Sequence, residues 1–475
     1  MTADLIQALK TALGDDRVVT QAEALEQRRH DYWMVSHVRD LIGAPAPRPA
    51  CIVRPQSVED VQATLRLANQ RRAPVIPFGL GSGMVGGVIA QADAILLDMG
   101  AMTRVRLIDP VNLLASFDAG KNGLEAEEAV AAQGLTIGHW PQSVAISTVG
   151  GWIATRASGQ FSTAYGNIED IVHSIEAVLP NGELVLLGKG PRASAGPDLR
   201  HLMLGSEGTL GVITGVTVSL RRAAQKRALT AFEAPSMRAG FAFQREIVQT
   251  GWRPPVMRQY DERESARLDP RIKKCLILIV HEGPAALVDA EVAAINDLAS
   301  LQSMATAPAD IVEHWLGHRN HVPGWDAILS RGMVADTVEV SADWDKIAEV
   351  YDEAVASLKA VEGVRAGSAH SSHVYRSGLN LYFTFAVQVG APERMEAVYM
   401  DCWRRIMDAT FKHGGSLSHH HGVGRVRLGQ MERELGASGL ELLRTVKRAI
   451  DPNGIMNPGA LIPDAQAPDA LSPDA

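Results

Sequence analysis

The stretch "PFGLGSGMVGG", residues 77–87, limits the local fold more than any other part of the chain. Gly79, Gly81, Gly83, Gly86 and Gly87 free its backbone to adopt positive φ and to approach a ligand closely. Successive backbone N–H groups in such a loop form a concave nest suited to a pyrophosphate. No Gly-Lys-Ser/Thr follows, so it is not a Walker A loop. No long helix starts directly after it, so it is not a dinucleotide fingerprint. Alone, it reads equally well as a glycine-rich turn between strands.

Two more glycine loops change that balance: "STVGGWIATRASGQFSTAYGNIEDIV" (147–172) and "LGSEGTLGVIT" (204–214). Three loops, each ahead of or between strands, imply backbone wrapped around one long ligand. A nucleotide cofactor fits better than a small metabolite.

The 475 residues exceed what a single core organises. A net charge of −8 leaves no basic footprint for nucleic acid. No apolar run reaches the roughly 18 residues that span a bilayer. The start, "MTADLIQALKTALGDD", reads as an amphipathic helix rather than a signal peptide. Three separated cysteines without a CxxC pair fit a reducing, cytoplasmic compartment. The end, "PDAQAPDALSPDA", has little to bury and predicts disorder.

Short strands such as "ACIVRP", "PVIPFG" and "AILLDM" alternate with helices, and Asn181-Gly182 marks a hairpin in "IEAVLPNGELVLL". The predicted fold class is α+β. A helical segment (1–45) precedes an α+β domain (46–225). A second α+β domain with an antiparallel sheet (226–410), a C-terminal segment (411–463) and the tail (464–475) follow.

The loops, their order, "SEGTLGVIT" and "DPNGIMNPG" resemble the vanillyl-alcohol oxidase/p-cresol methylhydroxylase (PCMH-type) family of FAD proteins. The resemblance covers about residues 46–463 and implies a two-subdomain FAD-binding domain under an α+β cap. It implies FAD contacts from Pro77, Gly79, Leu80, Gly81, Ser82, Gly83 and Met84 in the first loop. Ser147, Thr148, Gly150, Gly151, Trp152 and Thr155 follow in the second, and Glu207, Gly208, Gly211 and Ile213 in the third. The 411–463 segment would return to the flavin.

Within that family, "STVGGWIATRASG", "YGNIEDIV", "LYFTF" and "SLSHHHGVGRVR" resemble the alkylglycerone-phosphate synthase branch. That branch makes an ether lipid precursor through a flavin N5–substrate adduct, without net redox change. The resemblance implies catalytic roles for Tyr382, His419, His420 and His421, and a substrate contact at Arg258. Arg156, beside the second loop, is a further candidate for a substrate anion. One departure stands out: a functional arginine of the branch falls near Trp325, where none occurs, and Arg319 and Arg331 are out of register. The alternative function is an FAD-linked oxidoreductase taking hydride from a 2-hydroxy acid or alcohol. Either way the partner is a small-molecule or lipid-derived substrate, and a homodimer is among the expected assemblies.

The histidine tract also invites a metal. Adjacent residues of an extended chain point to opposite faces, so at most two of the three histidines reach one ion. Metal-dependent 2-hydroxy-acid dehydrogenases of the family carry "GHxGDGNxH" and "GEHG" segments. Here "SHVYRSGLNLYF" (372–383) lacks the Asp-Gly-Asn core, has a tyrosine near the second histidine, and leaves His373 alone. No metal is therefore expected. In "LNLYFTF", alternation sets Leu381 and Phe383 opposite Tyr382, leaving its hydroxyl free for a cleft or for the surface. A tyrosine bonded to a histidine can relay a substrate proton. His370, His413 and Cys402 read as structural.

Overall fold

The computed structural model describes residues 2–463, so the predicted disordered tail lies outside the described residues. The chain opens on the amphipathic helix Thr2–Leu13, which buries Leu5, Leu9 and Leu13. Ser57 starts the helix Val58–Arg71 by accepting from the Asp60 N–H, and Val61, Leu65 and Ala68 turn inward at helical spacing. Beside it, the strands Cys51–Val53, Ile95–Asp98 and Val75–Phe78 pair in parallel, with Val18–Val19 antiparallel at one edge. The first glycine loop begins where Val75–Phe78 ends. Ligands of parallel sheets collect at that carboxyl edge.

A second sheet is antiparallel, in the order Val105–Asp109, Leu114–Asp118, Val212–Ser219, Val172–Val178, Leu184–Leu187. The Asn181-Gly182 hairpin forms as predicted: Gly182 sits at φ 81° and donates to the Leu179 carbonyl. The helix Val149–Thr155 packs Trp152 and Ile153 into this sheet's core, which presses the second glycine loop against the first.

The third sheet has seven antiparallel strands: Ala305–Ala307, Lys226–Ala234, Cys275–Gly283, Val256–Tyr260, Val364–Ser371, Gly378–Gln388 and Met333–Asp343. The helices Met237–Gln249, Ala285–Leu301, Ile347–Lys359 and Met395–Lys412 bury their apolar faces in one core with Leu381, Phe383 and Phe385. By the two-residue period of a strand, Tyr382 and Thr384 belong to the other face. Mixed helix and sheet, with this antiparallel unit, give the α+β class expected.

The C-terminal helix Met431–Ile450 kinks at Gly436, where φ is 68°. The turn "DPNGIMNPG" then brings the chain back to the first sheet. Asp451 accepts the Ile455 and Met456 N–H groups. Asn457 donates to the carbonyls of Gly87 and Glu207, locking the first and third glycine loops together.

Candidate functional site

The three loops and the open face of the seven-stranded sheet enclose one cavity of about 820 Å³, within the usual range for ligand pockets. Every residue named for the cofactor lines it: Pro77 to Met84 in the first loop, Ser147 to Thr155 in the second, and Glu207, Gly208, Gly211 and Ile213 in the third. The glycines are required by close contacts around the loops. A Cβ on Gly79 would stand 2.7 Å from Thr148 Oγ1, and one on Gly150 would stand 2.7 Å from Ala119 Cβ. Gly81, at φ 73°, has the left-handed backbone the loop needs. This narrow cradle of small residues and backbone fits an extended dinucleotide such as FAD.

Glu207, besides lining the cavity, joins two parts of the chain. Its backbone is left-handed at φ 49°, and its carboxylate accepts from Val423 N at 2.6 Å and Gly424 N at 2.8 Å. Burial raises its pKa to about 7 against those hydrogen bonds. It ties the third loop to the end of the histidine tract.

The catalytic candidates meet through strand register. Tyr382 lies directly across from Glu339 on one neighbouring strand and from His370 on the other, and His370 lies across from Tyr260. One row of four side chains therefore crosses the sheet on the cavity face. Tyr382 Oη bonds His420 Nε2 at 2.5 Å. His420 Nδ1 meets His419 Nδ1 at 2.8 Å, His419 Nε2 meets Tyr375 Oη at 2.6 Å, and Tyr375 Oη donates to Asn167 Oδ1 at 3.2 Å. One set of tautomers satisfies the whole chain: each group donates to the next, from Tyr382 outward to Asn167. Burial holds His420 and His419 below the ordinary histidine range and pushes Tyr382 above the ordinary phenol range, so all three rest neutral.

Glu339 anchors this arrangement. Its carboxylate accepts from the backbone N–H groups of His420 (3.0 Å) and His421 (2.5 Å), from Ser418 Oγ, and from Arg427. Burial would raise its pKa, but Arg427 and the neighbouring histidines hold it well below the usual carboxylate range.

Several expectations need correcting. His370 is not merely structural. It lines the cavity, stacks on Tyr382 at 4.8 Å and 12°, and bonds Glu264 at 2.7 Å. Burial works to raise the Glu264 pKa, but the His370 contact prevails and holds it at about 2. His373 is not isolated either. Its ring stacks on His419 at 4.8 Å, and ligand nitrogens of His373, His419 and His420 lie within 4.8 Å of one another. That cluster takes two members of the tract, the limit the alternation sets. Both nitrogens of His419 and His420 are already hydrogen-bonded, so an ion there would displace part of the Tyr382–Tyr375 chain. Arg156 does not line the cavity; it is half-exposed and pairs with Glu169 at 3.0 Å. Arg258 does line it, with Nε on Tyr260 Oη at 2.9 Å. Arg319, set aside as out of register, faces the same cavity, as does Trp325. His413 pairs with Glu353, and Cys402 is buried in the core, both as expected.

The chain belongs to the FAD-linked oxidases. A model described as the FAD binding domain matches residues 49–188, and one for the C-terminal domain of FAD linked oxidases matches residues 223–461. The protein is therefore an FAD-dependent enzyme. It is 32% identical to the uncharacterized FAD-linked oxidoreductase YgcU of Escherichia coli K12, over 97% of this chain and 98% of YgcU. A solved alkyldihydroxyacetonephosphate synthase superposes with a TM-score of 0.81 at 27% identity, covering 96% of this chain and 85% of that one. Substrate-bound p-cresol methylhydroxylase superposes with a TM-score of 0.78 at 16% identity, over 98% of each chain, which establishes the PCMH-type fold. No helix among the described residues is long and apolar enough to cross a membrane.

The cradle gives a direct prediction. Gly79→Val adds a branched side chain against Thr148, so the purified variant is expected to carry less than half the wild-type flavin, read as the ratio of visible to ultraviolet absorbance. Full flavin content in that variant would mean the cofactor does not depend on this loop.

Proposed function

We propose that the enzyme works on a carbon bearing an oxygen, in a dihydroxyacetone-phosphate-like or related substrate, with Tyr382 and His420 handling the proton. The observation that carries this is the 2.5 Å bond between Tyr382 Oη and His420 Nε2 inside the cavity that the glycine loops line. When bound, FAD supplies an acceptor for the electron pair leaving the substrate carbon. The chain's own residues do the rest. A free phenolate is disfavoured by burial, so Tyr382 acts by relay: Oη receives the substrate proton as it passes its own to His420 Nε2. His420 hands its Nδ1 proton to His419 Nδ1, His419 keeps its Nε2 proton on Tyr375 Oη, and the buried Glu339 charge stabilises the imidazolium that results. His370, stacked on the Tyr382 ring, fixes its plane. In this reading residues 46–225 bind flavin, 226–410 form the cap and 411–463 return the histidines to the site.

Arg258 in the cavity and the likeness to the synthase support group transfer without net redox change. A second reading, hydride removal from a 2-hydroxy acid or alcohol, is supported by the closeness of His373 to His419 and His420 and by the likeness to YgcU. Anaerobic mixing separates them. Lasting loss of the visible flavin band with a hydroxy acid marks the oxidoreductase. An alkyl ether product from acyl-dihydroxyacetone phosphate and a fatty alcohol, with the band unchanged at the end, marks the transferase.

A further inference from the structure

Arg319 is a half-buried cation that forms no ion pair among the described residues. It forms the C-cap of the helix Asp310–His318 and lines the cavity, and its one side-chain hydrogen bond runs from Nη1 to the Leu316 carbonyl at 2.5 Å. Its Nε is buried without a partner. The nearby Glu282 carboxylate is already taken by Arg227 and by the Tyr165 hydroxyl. Burial lowers the Arg319 pKa, the direction expected of a charge lacking compensation.

The guanidinium is nevertheless held in place. It lies over the rings of Trp140 and Phe161, at 5.4 Å and 5.7 Å. Arg258 lies over Trp315 at 5.2 Å, and it too forms no ion pair among the described residues. Trp315 and Arg319 are four residues apart on one helix, so the aromatic seat of one arginine adjoins the other arginine. Two seated cations facing one cavity suit a planar or tetrahedral oxyanion, which arginine recognises bidentately.

We propose that Arg319, together with Arg258, clamps the anionic head of the substrate, a carboxylate or a phosphate monoester. The clamp deepens the function proposed above and rests on it for the identity of the bound molecule as substrate.

The test is equilibrium binding by the FAD-loaded protein, which needs no turnover and so stands apart from the Tyr382 relay. Inorganic phosphate and sodium acetate are titrated separately while tryptophan fluorescence and the flavin spectrum are recorded. The anion that binds more tightly identifies the head group. Arg319→Gln is expected to weaken that anion about 10- to 100-fold, the usual range for a lost charge-assisted hydrogen bond. Arg319→Lys is expected to restore part of the affinity, and it serves alone if the glutamine variant does not fold. Wild-type protein that binds neither anion overturns the proposal. So does unchanged affinity in both variants, whatever happens to the flavin spectrum.

Discussion

Tyr382→Phe is expected to lower turnover by about 100- to 10,000-fold, the usual contribution of a positioned acid–base group. The substitution removes one oxygen and leaves the ring, so stacking on His370 and the register opposite Glu339 persist. Flavin content is expected to stay at the wild-type level, because among the described residues the Tyr382 hydroxyl bonds His420 and no glycine-loop group. The loss should fall on kcat rather than KM, since the hydroxyl acts only as the proton moves. His420→Asn should show a similar loss. Tyr375→Phe, which cuts the relay two steps further out, should show a smaller one. Rapid-quench or stopped-flow measurement of the single-turnover rate checks all three. Wild-type rates in Tyr382→Phe would leave the 2.5 Å contact with His420 a structural bond and end the relay proposal.

Much of the glycine-lined cavity was legible because its determinants are local. Gly79 lets the first loop touch the second and Gly150 lets the second approach Ala119 at the end of a strand, and a glycine cluster is visible without any knowledge of what lies opposite. The orientation of Tyr382 was likewise local, since apolar Leu381 and Phe383 assign the faces of the strand. The row Tyr260–His370–Tyr382–Glu339 was not legible, because register between strands far apart in sequence decides it. His370 was read as structural for that reason. A signal for Glu339 did exist: it alternates with buried Val338 and Val340, so the rule that turned Tyr382 to the cavity turns Glu339 the same way. Arg319 was set aside by linear alignment, yet a guanidinium on a long side chain reaches the same space from another turn of helix. Arg156 shows the converse. It follows the second glycine loop in sequence, but its side chain pairs with Glu169 outside the cavity.

Glu339 carries the second large effect. Its carboxylate and the Arg427 guanidinium are both wholly buried, and Arg427 also donates to the Glu339 carbonyl at 2.8 Å and lies over Trp403 at 4.8 Å. Glu339→Gln keeps the shape and an acceptor but leaves Arg427 as an uncompensated buried charge, a change that typically costs about 3–5 kcal/mol. For a unit of this size the transition containing the seven-stranded sheet is expected to fall by roughly 6–20 °C in calorimetry. The pH dependence follows from the depressed folded-state pKa of Glu339. Its contribution is complete above the unfolded glutamate value of about 4.3 and is lost as pH falls from there toward the folded value. The gap between wild type and Glu339→Gln should therefore be widest near neutrality and shrink in acid. A paired replacement, Glu339→Leu with Arg427→Met, separates stability from chemistry. Removing both charges together should recover only part of the transition temperature, because apolar pairs often match buried ion pairs but the donors that Glu339 satisfied are left without an acceptor. Activity should not return, because the backbone N–H groups of His420 and His421 lose the carboxylate that aims the tract at Tyr382. Recovery of both would reduce Glu339 to a packing residue, and a Glu339→Gln variant as stable as wild type would remove the ion pair from the account of the fold.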